Sequence, residues 1–250
     1  MDSLAPLLAI CVCLAGLLSA NGVGPTAKQD IAPLVSRFES RYRAAHTLQA
    51  TFLERYSENG RAVRVEAGTA YFRRSGKMRW EYESPEKNLF LVDGKSAWFY
   101  VPADHIVFRV PAKESTDTRT PLALLAGQVK VSRVCARVDP ALNEQAASPD
   151  NAVLYCRLRG TESARSKLGD VQDSPQAGGT GEAAFFEIVR ASGELVRVKV
   201  RDSGGVEIEF QFTNWQTDPI LADALFRFDP PRGVAIVDGG AQAANAFRNQ

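Results

Sequence analysis

Histidine is nearly missing from this chain: His46 and His105 are the only two in 250 residues, and neither has Cys or acidic neighbours at ligand spacing. A dedicated transition-metal site is therefore not expected. Excess charge is missing as well. Thirty Lys+Arg face 29 Asp+Glu, a formal +1, so no whole-protein field would hold nucleic acid or an anionic membrane surface. Any partner must be recognised by shape and apolar contact. There is no Gly-rich phosphate loop, no nucleophile elbow and no His beside a candidate nucleophile. The acidic residues are spread over strand faces that read as wet, and no pair has environments that would drive two pKa values apart. Neither an enzyme nor a bound cofactor is expected. The chain is 45% hydrophobic and 24% charged, which excludes a disordered, collagen-like or multi-span membrane protein.

One apolar run stands at the start. Leu4 to Ala20 carries no charge and is short for a span, and the small residues Ser19 and Ala20 precede polar Asn21. The pattern predicts a secretory signal peptide over residues 1–20. The leader departs from the usual form by carrying Asp2 and no Lys or Arg, and an uncleaved anchor is the competing reading. Lipidation at Cys11 or Cys13 fits less well, because the expected small residue is missing before each. Removal of the leader leaves Cys135 and Cys156, both in β-like runs. An even pair in an exported chain can oxidise, so a cross-strand disulfide and two buried thiols both stand open.

Beyond the leader, Ile31, Leu34, Val35, Phe38 and Tyr42 recur at spacings of three and four and predict one amphipathic helix over Gln29–Tyr42. The period then changes to two. Strands are predicted at Leu48–Tyr56, Ala62–Arg73, Lys77–Glu83, Asn88–Val92, Ser96–Val101 and His105–Val110, separated by Asn59-Gly60, Ser75-Gly76 and Asp93-Gly94. Thr120-Pro121 to Gly127 has an N-cap, a proline at the first helical position and a glycine stop, and predicts a short helix apolar nearly all round. Five more strands follow at Gln128–Arg137, Ala152–Arg159, Ala184–Arg190, Glu194–Arg201 and Val206–Asn214. Gly160–Gly181 reads as a long loop, and 239–250 as a flexible tail. About eleven meandering strands point to one antiparallel curved sheet or barrel within a single domain over residues 25–238.

The strands alternate with an aromatic payload. Met78, Trp80 and Tyr82 share a face opposite Lys77, Arg79 and Glu81; Val206, Ile208, Phe210 and Phe212 share one opposite Glu207, Glu209 and Gln211. Such a sheet has one wet and one dry face. By pattern alone an ordinary solid core is the commoner solution, and a hollow is the alternative suggested by more dry area than two helices can fill.

Four motifs in order narrow the choice. Tyr71 to Pro85, Leu91 to Pro102, Thr120 to Gly127 and Phe226 to Val234 together closely resemble the periplasmic outer-membrane lipoprotein carrier family, LolA. The resemblance implies an unclosed antiparallel β-barrel of eleven strands with an N-terminal helix and short helices as a lid. It also implies a hydrophobic interior that holds the acyl chains of lipoproteins. Carriers of this kind collect lipoproteins from an inner-membrane ABC transporter and deliver them to an outer-membrane acceptor in the periplasm, without nucleic acid, and a monomer is expected. Leu122, Leu124 and Leu125 suit a lid that fills the interior when cargo is absent and leaves when it arrives. In the family an arginine before the Trp-containing strand pins the lid. That position is Arg74, although Ser75 in place of the usual proline leaves Arg73 open too. The wall residues expected are Phe72, Trp80, Tyr82, Trp98, Tyr100, Phe210 and Phe212. A sensor or interaction module that uses the same half-barrel to bind a lipid or a protein tail is the alternative function.

Overall fold

The computed structural model describes residues 30–74, 76–112, 122, 125, 130–159, 183–201 and 204–239. The leader, most of the Leu-rich segment, the 160–181 loop and residues 240–250 lie outside them. Helix α1 spans Ala32–Ala44, with a proline in its first turn and Leu34, Phe38 and Tyr42 buried. Those three recur every four residues, so one stripe faces inward and the intervening Arg and Glu face out.

Twelve strands follow: β1 Thr47–Glu58, β2 Arg61–Arg73, β3 Lys77–Ser84, β4 Leu89–Val92, β5 Ser96–Val101, β6 Ile106–Pro111, β7 Cys135–Pro140, β8 Asn151–Leu158, β9 Ala183–Val189, β10 Leu195–Arg201, β11 Val206–Thr217 and β12 Ala235–Asp238. They form one sheet in the order β12-β6-β5-β4-β3-β2-β1-β11-β10-β9-β8-β7. Its first and last strands are not paired with each other, so the sheet is an unclosed barrel. The long β1–β2 hairpin turns at Asn59-Gly60, where both residues have positive φ (49° and 78°), as a two-residue turn matched to the strand twist requires.

Two elements differ from the sequence expectation. The predicted strand Gln128–Arg137 begins instead as a helical turn, α2 Val131–Val134, and becomes extended only at Cys135. Val131, Val134 and Cys135 satisfy a spacing of three and four as readily as alternation. The Glu39 carboxylate also accepts the Val131 N–H at 2.8 Å, which stabilises the turn from outside. The twelfth strand was not expected. β12 pairs in parallel with β6, while every other pairing is antiparallel.

Cys135 and Cys156 form a disulfide with Cα atoms 5.3 Å apart and a sequence separation of 21. It joins the edge strand β7 to β8. Closing a loop of that length removes unfolded-state freedom worth about 3 kcal/mol.

The sheet buries both faces unequally. The large core lies on the concave side and joins α1, the inward residues of the strands, Leu122 and Leu125. A smaller cluster of Leu91, Trp98 and Val107 lies apart from it, covered by Tyr100, Phe228 and Val234.

Candidate functional site

The concave wall is built by strand register. Trp80 on β3 stands opposite Ala70 on β2 and Phe90 on β4, and Phe90 stands opposite Phe99 on β5. On the other side, Phe52 of β1 pairs with Phe212 of β11. These side chains meet as rings. Trp80 is fully buried, with centroids 4.9 Å from Phe52, 5.7 Å from Phe72, 5.2 Å from Phe210 and 6.0 Å from Phe212. Tilted and edge contacts at these separations contribute beyond the area they bury. Phe72, Trp80, Tyr82, Phe210 and Phe212 are thus brought together. The Trp80 indole N–H has no hydrogen-bond partner among the described residues.

Trp98 and Tyr100, expected on the same wall, are a correction. The β4–β5 register sets Trp98 opposite Leu91 and Phe99 opposite Phe90. Strand parity therefore turns Phe99 inward and Trp98 and Tyr100 to the outer face. There both rings lie 5.6 Å from Phe228 of the C-terminal segment. Sequence reasoning also missed Phe52, Phe90 and Phe99. All four residues of β4 are buried, so alternation carried no information about which face was which. Counting back from the Asp93-Gly94 turn would have placed Phe99 beside Phe90.

Among the described residues, the rings are covered rather than exposed. Over the rings lie α1 and two residues of the Leu-rich segment, Leu122 and Leu125, which are 1% and 2% exposed; Leu124 lies outside the described residues. Phe38 of α1 packs 6.3 Å from Phe186 of β9, and Tyr42 lies 5.7 Å from Trp215. The Tyr42 oxygen accepts the Leu195 N–H at 2.8 Å, and burial pushes its hydroxyl far above the usual tyrosine range. Beside α1, a pocket of about 180 Å³ is bordered by Ile31, Leu34, Pro140, Leu142 and Leu154. That is below the roughly 300 Å³ at which ligand pockets begin.

Two arginines anchor segments packed around the sheet. The Arg74 guanidinium donates to the Arg43 carbonyl and, at 3.3 Å, to the Ala44 carbonyl, two of the carbonyls that the end of α1 leaves without helical donors. A cation at a helix C-terminus is also favoured by the helix dipole. Arg73, the competing candidate, engages the other side: it pairs with Asp223, donates to the Leu221 carbonyl and lies 4.7 Å over the Phe226 ring. Arg74 therefore ties α1, and Arg73 ties the C-terminal segment.

The wall is not apolar throughout. Glu54 and Glu66 stand directly opposite each other on the inner face of β1 and β2, 1% and 7% exposed. The Tyr82 hydroxyl donates to Glu54 at 2.5 Å, and Arg64 pairs with Glu66 at 2.8 Å while lying over the Tyr56 ring.

On the convex face the β7–β8 connection folds back over β9 and β10. Glu144 sits between Lys199 at 2.9 Å and Arg201 at 3.0 Å; Arg197 donates to the Gln145 carbonyl. Burial alone would raise the Glu144 carboxyl, but hydrogen bonds and charge from Lys199 and Arg201 outweigh it and hold it below its ordinary range. Asp93 is likewise lowered: burial opposes, and donors from Ser96, Trp98 and Lys95 prevail. Asp218 is lowered by the N–H groups of His46 and Thr47. Carboxyls with depressed folded-state values stabilise above their unfolded pKa, about 4, and lose that contribution as pH falls through the folded values. The urea midpoint should therefore stay level from pH 7 to about 5 and fall below about pH 4. A midpoint that rises on acidification would contradict these bonds.

The family described as outer membrane lipoprotein carrier protein LolA matches residues 43–151. The outer-membrane lipoprotein carrier protein of Methylococcus capsulatus is 29% identical over 206 residues, covering 81% of this chain and 86% of its own. That of Nitrosomonas europaea is 28% identical over 211 residues, covering 82% and 89%. Among solved structures, a LolA superfamily protein from Nitrosomonas europaea aligns with 78% of this chain and 96% of its own, at 11% identity and a TM-score of 0.41. The sequence relatives of this chain are thus the outer-membrane lipoprotein carrier proteins of the LolA family, as its four ordered motifs indicated.

Proposed function

We propose that this chain is a periplasmic lipoprotein chaperone. It takes the acyl chains of lipoproteins from an inner-membrane ABC transporter into the concave side of its sheet and delivers them to an outer-membrane acceptor. The observation that carries the reading is the aromatic wall around Trp80, covered by α1 and by Leu122 and Leu125 rather than by a second sheet. Each acyl methylene exposed to water costs about 0.8 kcal/mol, so a multiply acylated protein needs a dry container to cross an aqueous space. Release requires competition for the same surface, and the leucines that fill the interior supply it: cargo entry and their departure are one exchange. No covalent step is needed, and the chain acts as a carrier, not as an enzyme. A signal peptide over 1–20 and a single carrier domain over 25–238 complete the proposed organisation.

Expressed in the periplasm with an epitope-tagged lipoprotein, the mature chain should yield a soluble one-to-one complex. Recovery of the lipoprotein in membranes only would overturn the reading.

A further inference from the structure

The most demanding atom in the interior is Trp80 Nε1. Trp80 has no exposed surface, its ring is enclosed by four phenylalanines, and its N–H has no acceptor among the described residues. An indole nitrogen can only donate, and a buried donor left unmet is costly to the folded state. Among the described residues, the interior therefore carries a polar group that its own side chains do not satisfy.

We propose, building on the carrier reading above, that the Trp80 N–H is the donor for the ester or amide carbonyl of a bound acyl chain, and that it selects carbonyl-linked chains over plain alkyl chains. A hydrocarbon tail brings no acceptor of its own; its carbonyl, at the junction with the headgroup, does. The inner face orients such a guest. Along β1 and β2 the facing pairs run from Leu48/Phe72 through Ala50/Ala70 and Phe52/Gly68 to Glu54/Glu66 and Tyr56/Arg64. Trp80 stands in the Ala70 row and Tyr82 in the Gly68 row. Apolar rows thus run from the α1 end through Trp80 to Phe52/Gly68, and polar rows lie beyond them toward the hairpin. A tail lying past Phe72 and Met78, with its headgroup toward Glu66 and Arg64, brings its carbonyl to the level of Trp80. The bond forms only when the guest is in place, so it favours the loaded state over the closed one.

The test compares two probes on the mature chain: a cysteinyl peptide bearing a dipalmitoylglyceryl group and its dihexadecyl ether analogue, which lacks the ester carbonyls. The wild-type protein should bind the ester roughly tenfold more tightly. Trp80→Phe should bring the ester-to-ether ratio to about one, whatever its absolute affinity. The Trp80 indole N–H resonance should move downfield with the ester probe alone. Equal wild-type affinities, or an unchanged ratio in Trp80→Phe, would overturn the inference while leaving the carrier reading standing. Binding of neither probe would overturn both. If Trp80→Phe does not fold, the wild-type ratio and resonance decide.

Discussion

Replacing Gly68 by alanine should leave little folded protein. A Cβ built at this position would lie 1.9 Å from the Glu81 carbonyl oxygen, 2.8 Å from its carbonyl carbon and 3.0 Å from the Phe52 ring. The first two atoms are backbone of the neighbouring strand and cannot rotate away. Gly68 also sits where the β2–β3 register shifts and directly opposite Phe52, so relief by strand movement would disturb the ring cluster around Trp80. Losses beyond about 4 kcal/mol are diagnostic of such strain and take up much of a typical domain's 5 to 15 kcal/mol. Urea unfolding of Gly68→Ala beside wild type would check this loss. A midpoint shift equivalent to less than about 1 kcal/mol would refute the close approach.

The second large effect concerns transfer rather than folding. Arg74→Leu removes the donors to the Arg43 and Ala44 carbonyls but keeps the backbone bond from residue 74 to the His46 carbonyl, so the sheet should persist. Charge-assisted bonds of this kind are worth about 1.5 to 3 kcal/mol, and these exist only while α1 is seated. Their loss shifts the balance toward the displaced cover, which makes loading easier and release harder. Delivery of bound lipoprotein to acceptor membranes should slow by roughly ten- to a hundredfold, as that energy converts. Amide exchange over the last turn of α1 should quicken in parallel. Transfer at the wild-type rate would remove Arg74 from the release step.

The fold was legible from the sequence because most strands alternate cleanly and most turns carry their own residues. Lys77–Glu83 against the observed Lys77–Ser84, and the turn at Asn59-Gly60, illustrate both. What escaped was whatever depended on two faces being buried at once. β4 is apolar on both sides because the C-terminal segment packs on its outer face, and no local pattern announces a covering segment 130 residues away. The same cover claimed Trp98, whose aromatic character suits either face. Glu54 and Glu66 were read as wet-face residues for the opposite reason: a carboxylate in an alternating strand is taken as outward unless its partners are known. Here a tyrosine hydroxyl from β3 and an arginine two residues away on β2 are those partners. The Arg73 and Arg74 ambiguity was settled by where the strand ends: Arg73 is the last residue of β2 and Arg74 lies in the turn beyond it.

The parallel pairing of β12 has a mechanical consequence. To lie beside β6 in that direction, the chain leaving β11 near the middle of the sheet must travel outside it to the far edge. It is fastened on the way by Arg73, by Arg79 to the Leu225 carbonyl, by Phe228 under Trp98 and by Arg109 with Asp238. It acts as a girdle on the β3–β6 half, while the cystine staples the opposite rim. Spreading the strands would strain both fastenings. On the proposed carrier reading, room for a guest comes from the helix and leucines that cover the wall, so the vessel opens by its stopper and not by its staves.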